Sequence, residues 1–179
     1  MKIIKTKKIA DESIKPGILN ILISSFFYTG YFPVASGTIG SLAALIPFLI
    51  PEFSNPVVLT AVIVITVIAA LMTSNEVMKR YGDDPSVIVI DEVIGMWTAV
   101  LIYVLPAGDS ISLIQLILLF LFFRIFDIIK IQPAKYFDDM KNAAGVIMDD
   151  VISGIYSGIL VYILHITGLT EKILTTLKY

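Results

Sequence analysis

The chain has 179 residues, of which 57% are hydrophobic and only 16% charged, with a formal net charge of −2. Soluble domains average about 45–50% apolar and about 25% charged, so this composition points to a helical membrane protein and shows no basic footprint for nucleic acid. With no cysteine, disulfides, thiolate-bound zinc and a cysteine nucleophile are all excluded.

Residues 1–16 form a basic segment carrying Lys2, Lys5, Lys7, Lys8 and Lys15. The apolar run that follows reaches Phe26-Phe27-Tyr28 rather than a small-residue cleavage site, so no removable signal peptide is read. Apolar segments then fall at 18–32, 39–50, 56–73, 87–105, 111–126 and 150–169. Prolines mark segment ends, except Pro47, which is expected to kink its segment. The β-branched run from Val57 to Ile65 is too long and too evenly apolar for a strand, and helices satisfy their own backbone groups in lipid. No internal repeat or linker appears, so residues 1–179 read as one all-α domain, a polytopic bundle of membrane helices.

Lysine and arginine orient the spans. Lys79 and Arg80 lie between two segments, as do Lys135 and Lys141, whereas the connections 51–55 and 106–110 have neither residue. The positive-inside rule then places the N-terminus and the loops near 80 and 135 in the cytoplasm. Segments 39–50, 87–105 and 150–169 run outward, and 56–73 and 111–126 run inward, giving about five spans. Segment 18–32 is left over and is expected to be a short interfacial or re-entrant helix. The tail with Lys172 and Lys178 falls outside, against the rule.

Four polar clusters interrupt this apolar sequence: Ser36 to Ser41, Asp91-Glu92, Arg124 to Lys130, and Asp149-Asp150. Charges beside hydrocarbon are costly unless paired, hydrated or metal-bound, and they mark functional sites. The orientation derived from the loops puts all four clusters at the cytoplasmic face, where they predict one shared site. Arg124, Asp127 and Lys130 follow at intervals of three on one helical face, either as a salt-bridged anchor or as a phosphate and metal group. Adjacent Asp149 and Asp150 repel each other unless a cation intervenes, and hard carboxylate oxygens favour Mg²⁺. The Ser36–Ser41 turn could cradle an anion at a helix N-terminus or serve close helix packing through its small residues. His165, the only histidine, lies toward the opposite membrane face and is read as structural, and Trp97 and Phe120, Phe122 and Phe123 as packing or lipid contacts. Asp138 and Asp139 fall in a loop near the site and are read as a solvated face held in reserve.

Together, Gly37-Thr38-Ile39-Gly40-Ser41-Leu42-Ala43-Ala44, Ile90 to Trp97, Phe123 to Lys130 and Gly145 to Asp150 resemble the phosphatidylglycerophosphatase A family, in family order over about residues 32–165. The resemblance implies a Mg²⁺-dependent hydrolase that converts phosphatidylglycerophosphate to phosphatidylglycerol within the bacterial cytoplasmic membrane. It carries acidic catalytic positions onto Asp91, Glu92, Asp127, Asp149 and Asp150 and basic ones onto Arg124 and Lys130. On this reading Asp91, Asp127, Asp149 and Asp150 hold the metal, and Arg124, Lys130, Thr38 and Ser41 bind the phosphate. The partner is a phospholipid in the bilayer, and the oligomeric state is not legible. This chain departs from the family pattern at Ile131-Gln132-Pro133, which keeps only one of two prolines, and at Asn142-Ala143-Ala144, which replaces a glycine pair. Two alternatives stand beside this reading: a small ion- or proton-coupled transporter using the carboxylates, and an inactive relative that binds lipid headgroups.

Overall fold

A computed structural model describes residues 10–83, 85–108, 110–140 and 142–170. Lys2, Lys5, Lys7, Lys8, Lys141, Lys172 and Lys178, on which part of the charge argument rests, lie outside the described residues. Among those described, all regular structure is helical.

Helix α1 (Ile18–Ser24) is only seven residues long, which rules out a crossing by segment 18–32 as a single helix. Its end is tied to the third helix, where the Ser24 hydroxyl donates to Thr73 Oγ1 at 3.0 Å. The chain then reverses through Phe26, Phe27 and Tyr28, three successive residues with positive φ.

Segment 39–50, expected to cross outward, is broken. Helix α2 (Ser36–Ala43) gives way to 3-10 turns at Ile46–Leu49 and Pro51–Ser54. Pro47 and Pro51 remove backbone donors at the starts of those turns, so no continuous helix can form there. The broken path is held by aromatic packing instead. The Trp97 indole donates to the Ala44 carbonyl at 2.8 Å, and Phe53 packs edge-on against both Phe48 and Trp97.

Helix α3 (Pro56–Tyr81) begins at an Asn55 cap that accepts from the amides of Val57 and Val58. It continues eight residues past the end of the apolar run, closing on Lys79 and Arg80, whose charges suit a helix C-terminus. Helix α4 (Ile90–Ala107) carries Asp91 and Glu92 in its first turn. Helix α5 (Leu113–Ile129) starts in a capping box of Ser112 and Gln115 and ends at Lys130, which is left-handed. A short α6 (Ala134–Asp138) leads to α7 (Ala143–Ile166), capped by Asn142.

Three of these helices, α3, α4 and α7, are long and apolar enough to cross a membrane. Their lengths correspond to about 39, 27 and 36 Å at 1.5 Å per residue. The protein is therefore a helical membrane bundle. Its centre is the α4–α7 pair, brought into backbone contact by small residues. A Cβ at Gly154 would collide with the Gly95 carbonyl, and one at Gly158 would lie 2.6 Å from the Ala99 carbonyl oxygen. Gly154 and Gly158 on one helix and Gly95 and Ala99 on the other are each four apart, the small-xxx-small spacing that lets membrane helices approach closely. Phe123 of α5 seals the contact from the side and is fully buried.

Candidate active site

The contact fixes where the polar ends of the helices meet. The first turn of α4 supplies Asp91 and Glu92, the end of α5 supplies Asp127 and Lys130, and the second turn of α7 supplies Asp149 and Asp150. These six side chains, with Ile128 and Val146, line one cavity of about 280 Å³. Asp91, Asp149 and Asp150 are buried. The clusters expected to converge do so, apart from the α2 turn, which borders the cavity without lining it.

The five carboxylates fall into two groups. Asp127 and Asp149 are each answered by a basic side chain. Arg124 Nη1 lies 2.9 Å from Asp127 Oδ2, and Lys130 Nζ donates to Asp149 Oδ2 at 2.5 Å. Asp91, Glu92 and Asp150 instead face one another, each offering an oxygen within 4.8 Å of the other two. Like charges at that separation repel strongly in a poorly solvated site unless a cation or proton intervenes. Glu92 Oε2 is also buried and has no hydrogen-bond partner among the described residues. An all-oxygen donor set with an unsatisfied buried oxygen fits a hard divalent ion. The four residues expected to hold the metal were Asp91, Asp127, Asp149 and Asp150; the geometry instead groups Glu92 with Asp91 and Asp150.

Lys130 is held more firmly than its place in the sequence suggests. Its ammonium also donates to Asp138 Oδ1 at 3.0 Å and lies 4.0 Å from Asp127. Burial opposes the charge, but hydrogen bonding and attraction from Asp149, with Asp138 and Asp150 adding to them, more than offset it and raise the lysine pKa. Asp138, read from sequence as a solvated loop residue, is therefore part of the charge arrangement around the site. Its signal was proximity alone, eight residues beyond Lys130 in a short loop.

The α2 turn differs from expectation. The group beside its glycine is the protein's own Glu92 carboxylate, and a Cβ on Gly37 would collide with Glu92 Oε1. The first turn of a helix attracts a carboxylate for the same reasons that it attracts a phosphate. Ser41 Oγ donates to the Gly37 carbonyl and accepts a long 3.4 Å bond from Arg124, so Ser41 supports the arginine. Thr38 is half-buried and does not line the cavity. His165, as expected, is remote: it pairs with the Tyr103 hydroxyl at 2.8 Å near the far end of α7.

A sequence model described as phosphatidylglycerophosphatase A matches residues 22–165, a stretch that contains every cluster described above. The chain belongs to the phosphatidylglycerophosphatase A family. It is 31% identical over 163 residues to phosphatidylglycerophosphatase A of Escherichia coli, covering 89% of this chain and 91% of that protein. The Haemophilus influenzae phosphatidylglycerophosphatase A is 32% identical over 146 residues, covering 79% and 85%. A Bacteroides thetaiotaomicron protein named a candidate phosphatidylinositol-3-phosphatase is 36% identical over 152 residues, covering 82% and 94%. No solved structure matches the chain at a significant level. As a member of the family, the chain is a membrane lipid phosphatase, a hydrolase of phosphate monoesters.

Proposed function

We propose that the protein removes the terminal phosphate of phosphatidylglycerophosphate, releasing phosphatidylglycerol and inorganic phosphate, and that it depends on Mg²⁺. The observation that carries this reading is the gathering of Asp91, Glu92 and Asp150, with oxygens within 4.8 Å of one another, beside Lys130 in one cavity that Arg124 borders. Asp91, Glu92 and Asp150 would hold the ion. When bound, Mg²⁺ would neutralise phosphate charge and acidify a water.

The chain's own groups supply the rest. Lys130, kept charged by its carboxylate neighbours, attracts phosphate oxygens as a point charge. Arg124, oriented by Asp127 and Ser41, adds a planar guanidinium at the cavity's edge. Asp149 lines the cavity with a buried Oδ1 that accepts no hydrogen bond among the described residues, and it is placed to take a proton from the attacking water. Water adds to phosphorus as the bond to the glycerol oxygen breaks, the proton taken up by Asp149 is passed on through solvent to that oxygen, and the alcohol product retains the acyl chains.

The positive loops support a cytoplasmic cavity in a bacterial inner membrane. Five crossings follow if α5 and the broken path 36–54 join the three long helices. A second lipid monoester is favoured by the Bacteroides relative, whose name carries an inositol lipid with the same reacting group.

The test is phosphate release by the purified full-length protein in detergent. Phosphatidylglycerophosphate and phosphatidylinositol 3-phosphate would be compared, with and without Mg²⁺, alongside Asp91→Asn and Asp150→Asn. The reading expects Mg²⁺-dependent release from phosphatidylglycerophosphate that both variants abolish. Release that ignores Mg²⁺, or survives both substitutions, overturns it.

A further inference from the structure

An apolar groove of about 350 Å³ opens beside the polar cavity, lined by Phe126, Ile131, Tyr156, Ile159, Leu160 and Ile163. Its position follows from two helices that also build the site. On α7, Asp149 and Tyr156 are seven residues apart, so they share a face to within about 20° and lie about 10 Å apart along the axis. Leu160 and Ile163 continue that stripe for about another 10 Å toward the far end of the helix. On the α5 side, Phe126 sits in the last turn of the helix, and Ile131 directly follows Lys130, which caps that end. The groove is therefore the apolar continuation of the face that carries the Lys130–Asp149 pair.

Its upper end is fixed. The Tyr156 hydroxyl donates to the Gln132 carbonyl at 2.7 Å, and its ring packs edge-on against Phe126. This ties the stretch after Lys130 to α7 and holds the groove open next to the cavity. Another apolar groove, beside Trp97 and α1, lacks this continuity. It is reached from the Ile90 and Trp97 face of α4, and Asp91 points about 100° away from that face.

We infer that the groove between α5 and α7 seats one acyl chain of the lipid substrate, with its phosphate at the Lys130–Asp149 end. The inference rests on the phosphatase site proposed above and adds a selective element to it. A lipid must place its phosphate in the polar cavity while one chain lies along Tyr156, Leu160 and Ile163. The groove walls then report chain length, while the polar cavity reports the reacting phosphate.

Two measurements test it. In the first, Ile159→Trp, which fills the groove, is assayed on dioleoyl and dihexanoyl phosphatidylglycerophosphate. Losing apolar chain contacts lowers kcat/KM about tenfold on the long-chain lipid and leaves the short-chain rate within about twofold. An equal loss on both lipids, or no loss on the long one, overturns the inference. In the second, the full-length protein in phosphatidylcholine nanodiscs is photolabelled with a phosphonate analogue of phosphatidic acid bearing a diazirine on one chain. Labelling is expected on α7 between residues 156 and 163, reduced by unlabelled phosphonate analogue and not by added phosphatidylcholine. Labelling there that the unlabelled analogue does not reduce, or labelling no stronger than on the lipid-facing side of α3, overturns the groove assignment. If the wild-type protein releases no phosphate from either phosphatidylglycerophosphate, the substrate assignment fails while the labelling result still decides the groove.

Discussion

Replacing Gly37 by alanine should separate stability from activity. Gly37 lies within α2 at a helical φ, so alanine suits the backbone and favours the helix by about 0.5–1 kcal/mol. Its methyl group, however, would meet the Glu92 carboxylate, with Cδ only 3.0 Å away. The nearer carboxylate oxygen, Oε1, sets the demand, and restoring an ordinary contact of 3.5–4.0 Å moves it by roughly 1.5–2 Å. The obstacle is the end of a flexible side chain, so the fold absorbs the change while the triad of Asp91, Glu92 and Asp150 does not. Perturbing a neighbour that orients a metal ligand costs about 10- to 100-fold in affinity or activity. Phosphate release should therefore fall by that factor at limiting Mg²⁺ and recover in part at high Mg²⁺, with the melting temperature in detergent unchanged or slightly raised. Unchanged Mg²⁺ dependence in the variant would refute the assignment of Glu92 to the ion. A fall in melting temperature large enough to explain the lost activity would refute the packing argument.

Gly154→Ala should do the reverse. Its Cβ meets the backbone of Gly95, which cannot swing aside, so about 1–3 kcal/mol of stability is lost as α4 and α7 separate, read as a lowered melting temperature. Trp97→Phe removes the bond to the Ala44 carbonyl and leaves a buried acceptor unmet, costing about 1–3 kcal/mol with little change in kcat. Lys130→Met should be destabilising and strongly defective in phosphate release. Because the Lys130 pKa is raised on folding, its contribution to stability is complete below the ordinary lysine value of 10.5 and is lost only as pH rises through the higher folded value. The stability difference between wild type and Lys130→Met should thus stay flat from about pH 8 to pH 10, as measured by denaturation, and narrow only above that range.

Much of the architecture is legible in the residues. The apolar runs mark α3, α4, α5 and α7, and Asn55, Ser112 and Asn142 are caps that could be read in advance. The break after α2 was visible only as Pro47 and Pro51, whose effect depends on whether aromatic packing can hold a non-helical path; Trp97 and Phe53 make that possible here. The convergence of three of the four clusters could be inferred because reading the loop charges puts their helix ends on one side of a bilayer; the α2 turn only borders the cavity. How the carboxylates divide could not be inferred, because it depends on which side chains reach which cation across separate helices. Lys130 bonds Asp149 and Asp138, and Arg124 pairs with Asp127, while Glu92 turns toward Asp91 and Asp150. The α4–α7 contact is legible in the residues: Gly154 and Gly158, like Gly95 and Ala99, stand four apart.

The backbone contact between α4 and α7 also serves as a ruler. Asp91 stands one turn before Gly95, and Asp150 stands one turn before Gly154, the two glycines whose backbones touch. Carboxylate spacing is thus dimensioned by main-chain atoms one turn away, and no side chain intervenes whose size could drift. A shift of either helix by a single residue would bring Met96, Ile155 or Ser153 into the contact and prise the calliper open. The outward faces of the same helices carry no such constraint. They can be rewritten for bilayers of different thickness or lipid content while the distance between the two aspartates stays fixed.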